Sequence, residues 1–110
     1  MAVPHAQPGE VVDVLPPGSA PASSQMATLL RAGQVEVRRL VVPAGKDIAE
    51  HKAKGEIVVY CLEGKVAYTA FGKAHDLEAG KLFYLPAGEP HSVQGIEDAS
   101  LLLTILLPRP

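Results

Sequence analysis

Two of the four histidines, His51 and His91, occupy positions from which side-chain chemistry is possible. His51 comes soon after the turn sequence 43–45, and His91 directly follows the turn-rich stretch 86–90. A residue beside a turn can present its side chain to a pocket from the rigid end of a strand. Imidazole is the commonest side-chain ligand for metals and the usual proton shuttle near neutral pH. These two histidines are therefore the candidate site residues, and the sequence indicates no catalytic residue beyond them.

The segments that must position these histidines are short apolar runs separated by prolines and glycines. No window of helical length keeps an apolar period of about 3.6 residues. Runs of strand-forming residues, bounded by turn residues, predict strands at 35–42, 57–62, 66–71, 82–85, 91–96 and 101–107. The second and third of these runs flank Gly64 and predict a hairpin. Many short strands at regular spacing indicate an all-β sandwich or barrel.

The N-terminal residues 1–23 differ from the rest of the chain. They contain five prolines and few large apolar side chains, and only Val11 to Leu15 has the composition of a strand, which we expect to be an edge strand. A chain of 110 residues has room for one core. We therefore expect residues 1–23 to form a Pro-rich arm and residues 24–110 to form a single barrel domain.

The composition excludes several classes of protein. Ten Lys and Arg against 12 Asp and Glu give a net charge of -2, which is not the basic footprint of a nucleic-acid binder. The single cysteine, Cys61, excludes an intramolecular disulfide and a cysteine-based zinc framework. The N-terminus lacks the basic opening and apolar run of a signal peptide. The longest apolar stretch, 101–107, is far too short to span a membrane. We expect a soluble cytoplasmic protein without nucleic-acid or membrane partners.

The region around His91 resembles the second conserved motif of the cupin family. Gly80, Pro86, Gly88 and His91 stand at the spacing of that motif. Only the last position of the motif, usually Asn, is changed, to Gly95. The resemblance implies that His91 is the family's metal-binding histidine of this motif.

The region around His51 keeps the spacing of the first cupin motif but not all of its ligands. Gly45, His51 and Gly64 are in place, whereas Ala53 stands at the second histidine position and Ile57 at the glutamate position. The family holds a divalent metal with both histidines and the glutamate of this motif and the histidine of the second motif. The two motifs together cover residues 45–95, about half of the chain.

The resemblance implies an antiparallel cupin barrel, a double-stranded β-helix or jelly roll, of about eight or nine strands. Of the family's metal ligands, only His51 and His91 would remain. Such a pair favours Zn, Ni, Cu or Fe and binds the metal weakly. Ala53, Ile57 and Val59 would line an apolar pocket wall. Such a pocket suits a small molecule with an apolar body and one polar or anionic handle.

Three functions remain open from the sequence. The first is a small-molecule-binding cupin with at most a weak two-histidine metal site. The alternative is a metal-dependent enzyme of the isomerase or dioxygenase type that uses His51 and His91 as ligands. The third is a structural dimer with a vestigial pocket. In each case the resemblance implies a homodimer. Whether the chain is an enzyme is not decided by its sequence.

Overall fold

Strands make up every regular element in the part of the chain that the structure describes, residues 5–16 and 21–107. This computed structural model contains nine strands within those residues. They are β1 (Gln25–Ala32), β2 (Val35–Val42), β3 (Asp47–His51), β4 (Ile57–Glu63), β5 (Lys65–Ala70), β6 (Lys73–Glu78), β7 (Leu82–Leu85), β8 (His91–Gly95) and β9 (Ala99–Leu106). The all-β class expected from the sequence is confirmed.

The strands form two sheets in which the pairings are antiparallel. One sheet has five strands in the order β1-β2-β9-β4-β7, and the other has four in the order β3-β8-β5-β6. From β2 to β5, and again from β6 to β9, each strand is followed by one in the opposite sheet. This interleaving places the inner faces of the two sheets against each other.

Strand alternation builds the core between the sheets. In β4 the buried residues are Ile57, Val59 and Cys61, and the residues between them face outward. In β9 Leu101, Leu103 and Ile105 are buried in the same way and belong to the same apolar cluster. Side chains two residues apart in a strand share a face, so these alternate positions form the inner wall of the barrel.

The predicted hairpin around Gly64 is wrong, because β4 and β5 lie in different sheets and do not pair. Gly64 instead makes a corner between the sheets, with a φ of 79°. A Cβ at this position would collide with the carbonyl oxygen of Asp98. Only glycine satisfies both the positive φ and this close approach of two backbone segments.

The N-terminal residues do not contribute the edge strand that Val11 to Leu15 suggested, since none of residues 5–16 is in a strand. They nevertheless contact the five-stranded sheet. The amide of Ala6 donates to the carbonyl of Leu29 at 2.9 Å, and Arg39 Nη1 lies 3.5 Å from the Leu15 carbonyl. The described residues include no helix that is long and apolar enough to cross a membrane.

Candidate functional site

A cavity of about 410 Å³ lies inside the barrel and brings the two histidines together. Both sheets contribute to its walls, so it occupies the space between their inner faces. Residues 52–55, most of the connection between β3 and β4, form part of its lining. The remaining lining residues are Met26, Glu36, Arg38, Leu40, Ile48, His51, Ile57, Tyr68, His91, Val93, Leu103, Ile105 and Leu107.

The backbone of β3 is irregular at the point where it presents His51. Ile48 pairs with Val93, but the next pair is His51 with His91, so β3 uses one residue more than β8 over this interval. An extra residue of this kind is a β-bulge, which changes the face on which the following side chain lies. His51 and His91 consequently meet as neighbours across two strands, with ring centroids 4.2 Å apart.

Each of the two imidazoles is oriented by a backbone carbonyl two residues earlier in the chain. His51 Nδ1 lies 2.9 Å from the carbonyl oxygen of Ala49, and His91 Nδ1 lies 3.0 Å from that of Glu89. A carbonyl oxygen can only accept, so Nδ1 must carry the proton in both rings. In the neutral form, Nε2 of each histidine is then an acceptor with a free lone pair.

Burial keeps His91 in this neutral form. The side chain is buried at 2% exposure. Burial lowers the pKa of His91, the hydrogen bond to the Glu89 carbonyl opposes that effect, and the neighbouring His51 lowers it further. The ring of Tyr68 stacks on His91 at a centroid distance of 5.7 Å and closes one side of it. Burial also raises the pKa of the Tyr68 phenol, so both groups are uncharged near neutral pH.

Ala53 and Ile57 line the cavity as the motif positions suggested, whereas Val59 does not. Val59 is fully buried and packs in the apolar core. Outside the cavity, Glu56 is exposed and accepts a hydrogen bond of 2.6 Å from the Tyr84 hydroxyl. That bond raises the pKa of Tyr84. Glu56 therefore points away from the cavity that its neighbour Ile57 lines.

Cys61 and His75 both lie away from the histidine pair. Cys61 is fully buried in the core cluster, and burial is the main reason that its pKa is raised. His75 lies in β6, with its ring centroid 4.8 Å from that of Phe83. Neither side chain lines the cavity.

The donor set does not fit the four-ligand metal site that the family implies. Within residues 5–16 and 21–107, no three His, Cys, Asp or Glu side chains are grouped closely enough to hold a metal ion. Ala53 and Ile57, which line the same cavity, supply no donor atom. Among these residues, what remains is a pair of imidazole nitrogens; Glu36 lines the same cavity but is not grouped with them as the carboxylate ligand that a hard divalent cation prefers.

Sequence reasoning missed two charged residues of the cavity wall, Glu36 and Arg38. They lie in β2, where Val35 and Val37 suggest that the valines face the core and the charged residues face solvent. The structure has the opposite arrangement: Glu36 is only 3% exposed and Val37 is half-buried. The sequence did contain one signal for this arrangement. By strand alternation Leu40, which is buried, lies on the same face of β2 as Glu36 and Arg38.

Gly95, the departure from the second motif, is explained by close backbone contact. A Cβ on Gly95 would collide with the carbonyl oxygen of Pro43. The two segments are also joined by hydrogen bonds, from Gly45 N to Gly95 O and from Gly95 N to Lys46 O, each 2.8 Å long. Any side chain at this position would push the β2–β3 turn away from β8.

Comparison with known proteins gives the same fold at low sequence identity. A conserved Streptococcus pyogenes protein of unknown function superposes with a TM-score of 0.82 at 20% identity, covering 100% of this chain and 97% of that one. A Thermotoga maritima structure described as a predicted oxalate decarboxylase has a TM-score of 0.70 at 28% identity, covering 77% of this chain and 81% of that one.

One curated relative, the oxalate-binding protein of Thermotoga maritima, is 32% identical over 72 residues. The match covers 63% of this chain and spans 60% of the relative's length. The family model described as the cupin domain matches residues 38–106, which include eight of the nine strands in whole or in part as well as both histidines. With the two-sheet topology and the retained His51–His91 pair, this match places the chain in the cupin family.

Proposed function

We propose that this cupin binds a small molecule in its barrel cavity and that His51 and His91 recognise one polar group of that molecule. The observation that carries the proposal is the orientation of the two rings. Both Nδ1 atoms are held by backbone carbonyls, at 2.9 and 3.0 Å, which leaves two adjacent Nε2 acceptors on rings that line an otherwise largely apolar cavity. Pockets of this size with a few converging polar groups are typical small-molecule sites.

The relatives support a small ligand but not a particular one. The matched relative from Thermotoga maritima is named an oxalate-binding protein. It shares the barrel over only part of its length, so its ligand is a starting point for this chain. Apolar side chains such as Leu40, Ile57 and Ile105 line the cavity and favour a ligand with an apolar body larger than oxalate itself.

In this proposal a divalent metal plays at most a minor part. Two imidazoles are fewer protein ligands than the three or more of most catalytic metal sites. Zn, Ni, Cu or Fe would therefore bind weakly and exchange readily. Metal-dependent isomerase or dioxygenase chemistry on His51 and His91 is the alternative to this proposal.

Two measurements separate these functions. The metal content of the untagged protein is compared with that of the His51→Ala/His91→Ala variant, and both proteins are screened by thermal shift against small organic acids, alcohols and sugars. The proposal expects little bound metal and a stabilising compound that the variant no longer recognises. Near-stoichiometric metal that disappears in the variant would favour the enzyme, and a screen with no stabilising compound would contradict a binding function.

We also propose that two copies of this chain associate through the outer face of the five-stranded sheet. The outward positions of β4 and β7 are apolar and exposed: Tyr60 at 39%, Leu82 at 61% and Tyr84 at 52%. Tyr60 and Leu82 are directly paired across β4 and β7, so they form one continuous patch. Light scattering should give a dimer mass for the native chain and a monomer mass for Leu82→Glu. A native monomer would refute the association.

A further inference from the structure

An ion pair stands inside the barrel on the sheet that faces the histidines. Glu36 is 3% exposed and Arg38 Nη2 lies 2.9 Å from its Oε2. The two residues are separated by one position in β2 and share its inner face, where they pair across the sheet with Ile105 and Leu103. Both line the cavity. A charged pair in this position is unusual, because inner strand positions of small barrels are normally apolar.

The guanidinium of Arg38 retains a donor that the protein does not use. Arginine carries five N–H donors. In the described part of the chain, Arg38 Nε is the one buried side-chain nitrogen or oxygen atom without a hydrogen-bond partner. That atom is itself closed off from solvent, so the donors open to a bound group lie at the guanidinium end of the side chain, which is 36% exposed and which Glu36 engages through Nη2.

The charges around the cavity favour an anion near Arg38. Lys52 and Lys54 also line it, so three cationic side chains against the single carboxylate of Glu36 leave a formal charge of +2 when the histidines are neutral. Guanidinium groups recognise carboxylates with particular strength, since the bonds are charge-assisted and often bidentate.

The opposite sheet offers the complementary chemistry. Nε2 of His51 and His91 can accept a hydrogen bond but cannot donate one while the rings are neutral. A carboxylate placed there would be repelled, because its oxygen lone pairs would face the lone pairs of the two Nε2 atoms. A hydroxyl would instead donate a hydrogen bond to Nε2. The cavity therefore has the Arg38 donors on the five-stranded sheet and the histidine acceptors on the four-stranded sheet, with apolar side chains such as Leu40 and Val93 beside them on the same two sheets.

We propose that the ligand of this cavity is a small hydroxy acid, whose carboxylate is bound by Arg38 and whose hydroxyl donates to the His51–His91 pair. This inference rests on the proposed small-molecule function and adds to it the class of ligand and a second recognition residue. Glu36 holds the guanidinium in place and partly competes with the ligand for it. Hydroxy acids should therefore bind more tightly than dicarboxylates of the same size, oxalate included.

Isothermal titration calorimetry on the full chain tests this with matched aromatic probes. Para- and meta-hydroxybenzoate carry both groups. Cresol lacks the carboxylate, benzoate lacks the hydroxyl, and terephthalate replaces the hydroxyl with a second carboxylate. Loss of a charge-assisted hydrogen bond weakens binding by about tenfold to a hundredfold. We expect at least one hydroxybenzoate to bind, and each probe that lacks one of its groups to bind about tenfold or more weakly.

Two substitutions of opposite expected effect identify the residue responsible. Arg38→Gln should reduce hydroxybenzoate affinity to that of cresol while leaving cresol binding unchanged. Glu36→Gln should increase hydroxybenzoate affinity, by about threefold or more, because it frees the guanidinium from its competing carboxylate. Since Arg38→Gln leaves Glu36 buried without its partner, the double variant Glu36→Gln/Arg38→Gln provides a neutral control, and it should behave like Arg38→Gln.

The failures of the two proposals are distinguishable. If cresol and hydroxybenzoate bind equally, and only His51→Ala/His91→Ala abolishes binding, the role of Arg38 is refuted and the small-molecule site stands. Tighter binding of terephthalate or oxalate than of either hydroxybenzoate would refute the hydroxy-acid class in favour of a dicarboxylate. If none of the probes binds, the hydroxy-acid inference is refuted, and the broader thermal-shift screen then decides whether the site itself exists.

Discussion

Restoring the two missing motif positions should convert the cavity into a metal site. The change is Ala53→His with Ile57→Glu, at two residues that line the same cavity as His51 and His91. Four donors, one of them a carboxylate, would then surround the cavity, and such a set suits Mn(II) or Fe(II) better than two imidazoles do. The substitutions add ligands on existing strands and loops without requiring any change of register.

The metal-free variant should be less stable than the native chain. Ile57 is 5% exposed, and removing its apolar side chain while burying a carboxylate costs roughly 3 kcal/mol. For a domain of this size, that loss lowers Tm by on the order of 10–20 °C. Metal at a hundredfold excess over its dissociation constant returns about 2.7 kcal/mol. Thermal unfolding with and without Mn(II) should therefore show a large metal-dependent rise in Tm for the variant and almost none for the native chain.

The matched control is Ala53→His with Ile57→Gln, which has the same volume at position 57 but no carboxylate. It should be destabilised in a similar way and should gain much less from Mn(II). If the two variants respond alike to the metal, then position 57 does not face the histidine pair. The reasoning that assigns the missing ligand to this position would be refuted.

Three further predictions concern the barrel itself. Leu101→Ala, at a residue with 0% exposure, should reduce the free energy of unfolding in urea by roughly 2–5 kcal/mol, and a smaller loss would mean that the core collapses around the gap. Gly95→Asn restores the usual motif residue yet should lower Tm, because its Cβ would collide with the Pro43 carbonyl; an unchanged Tm would contradict that contact. Cys61 is fully buried and its thiol has a raised pKa, so its reaction with a disulfide reagent should follow the unfolding transition. Rapid labelling of the native protein would refute this.

The strands whose bounds were predicted correctly from the sequence are those followed directly by a proline. The runs 35–42 and 82–85 match β2 and β7 at both ends, because each apolar run stops at a proline-containing turn. β6 was not predicted, since Lys73–Glu78 is largely polar and contains one buried residue. The turn before it uses Phe71 and Gly72, both at positive φ, of 55° and 71°. Phenylalanine is not a residue that normally signals such a turn.

The proximity of the two histidines could be predicted from the sequence, whereas the charged residues of the cavity wall could not. The spacing of the two motifs identified His51 and His91, and the structure brings their rings within 4.2 Å of each other. Glu36 and Arg38 escaped prediction because a strand with valines on one face and charges on the other is normally oriented with the valines inward. Here the ion pair lines a cavity rather than a packed core, so the usual rule is reversed over these positions.

The extra residue in β3 has an evolutionary consequence. In a regular ladder, the residue opposite His91 would lie two positions after Ile48, which is Glu50; the shift in register places His51 there instead. Moving the extra residue to a position after His51 would set Glu50 opposite His91, which exchanges an imidazole for a carboxylate in the cavity with no substitution in β3. A change in where such an irregularity falls along this strand therefore gives related barrels a route to new pocket chemistry that counting conserved ligands would not reveal.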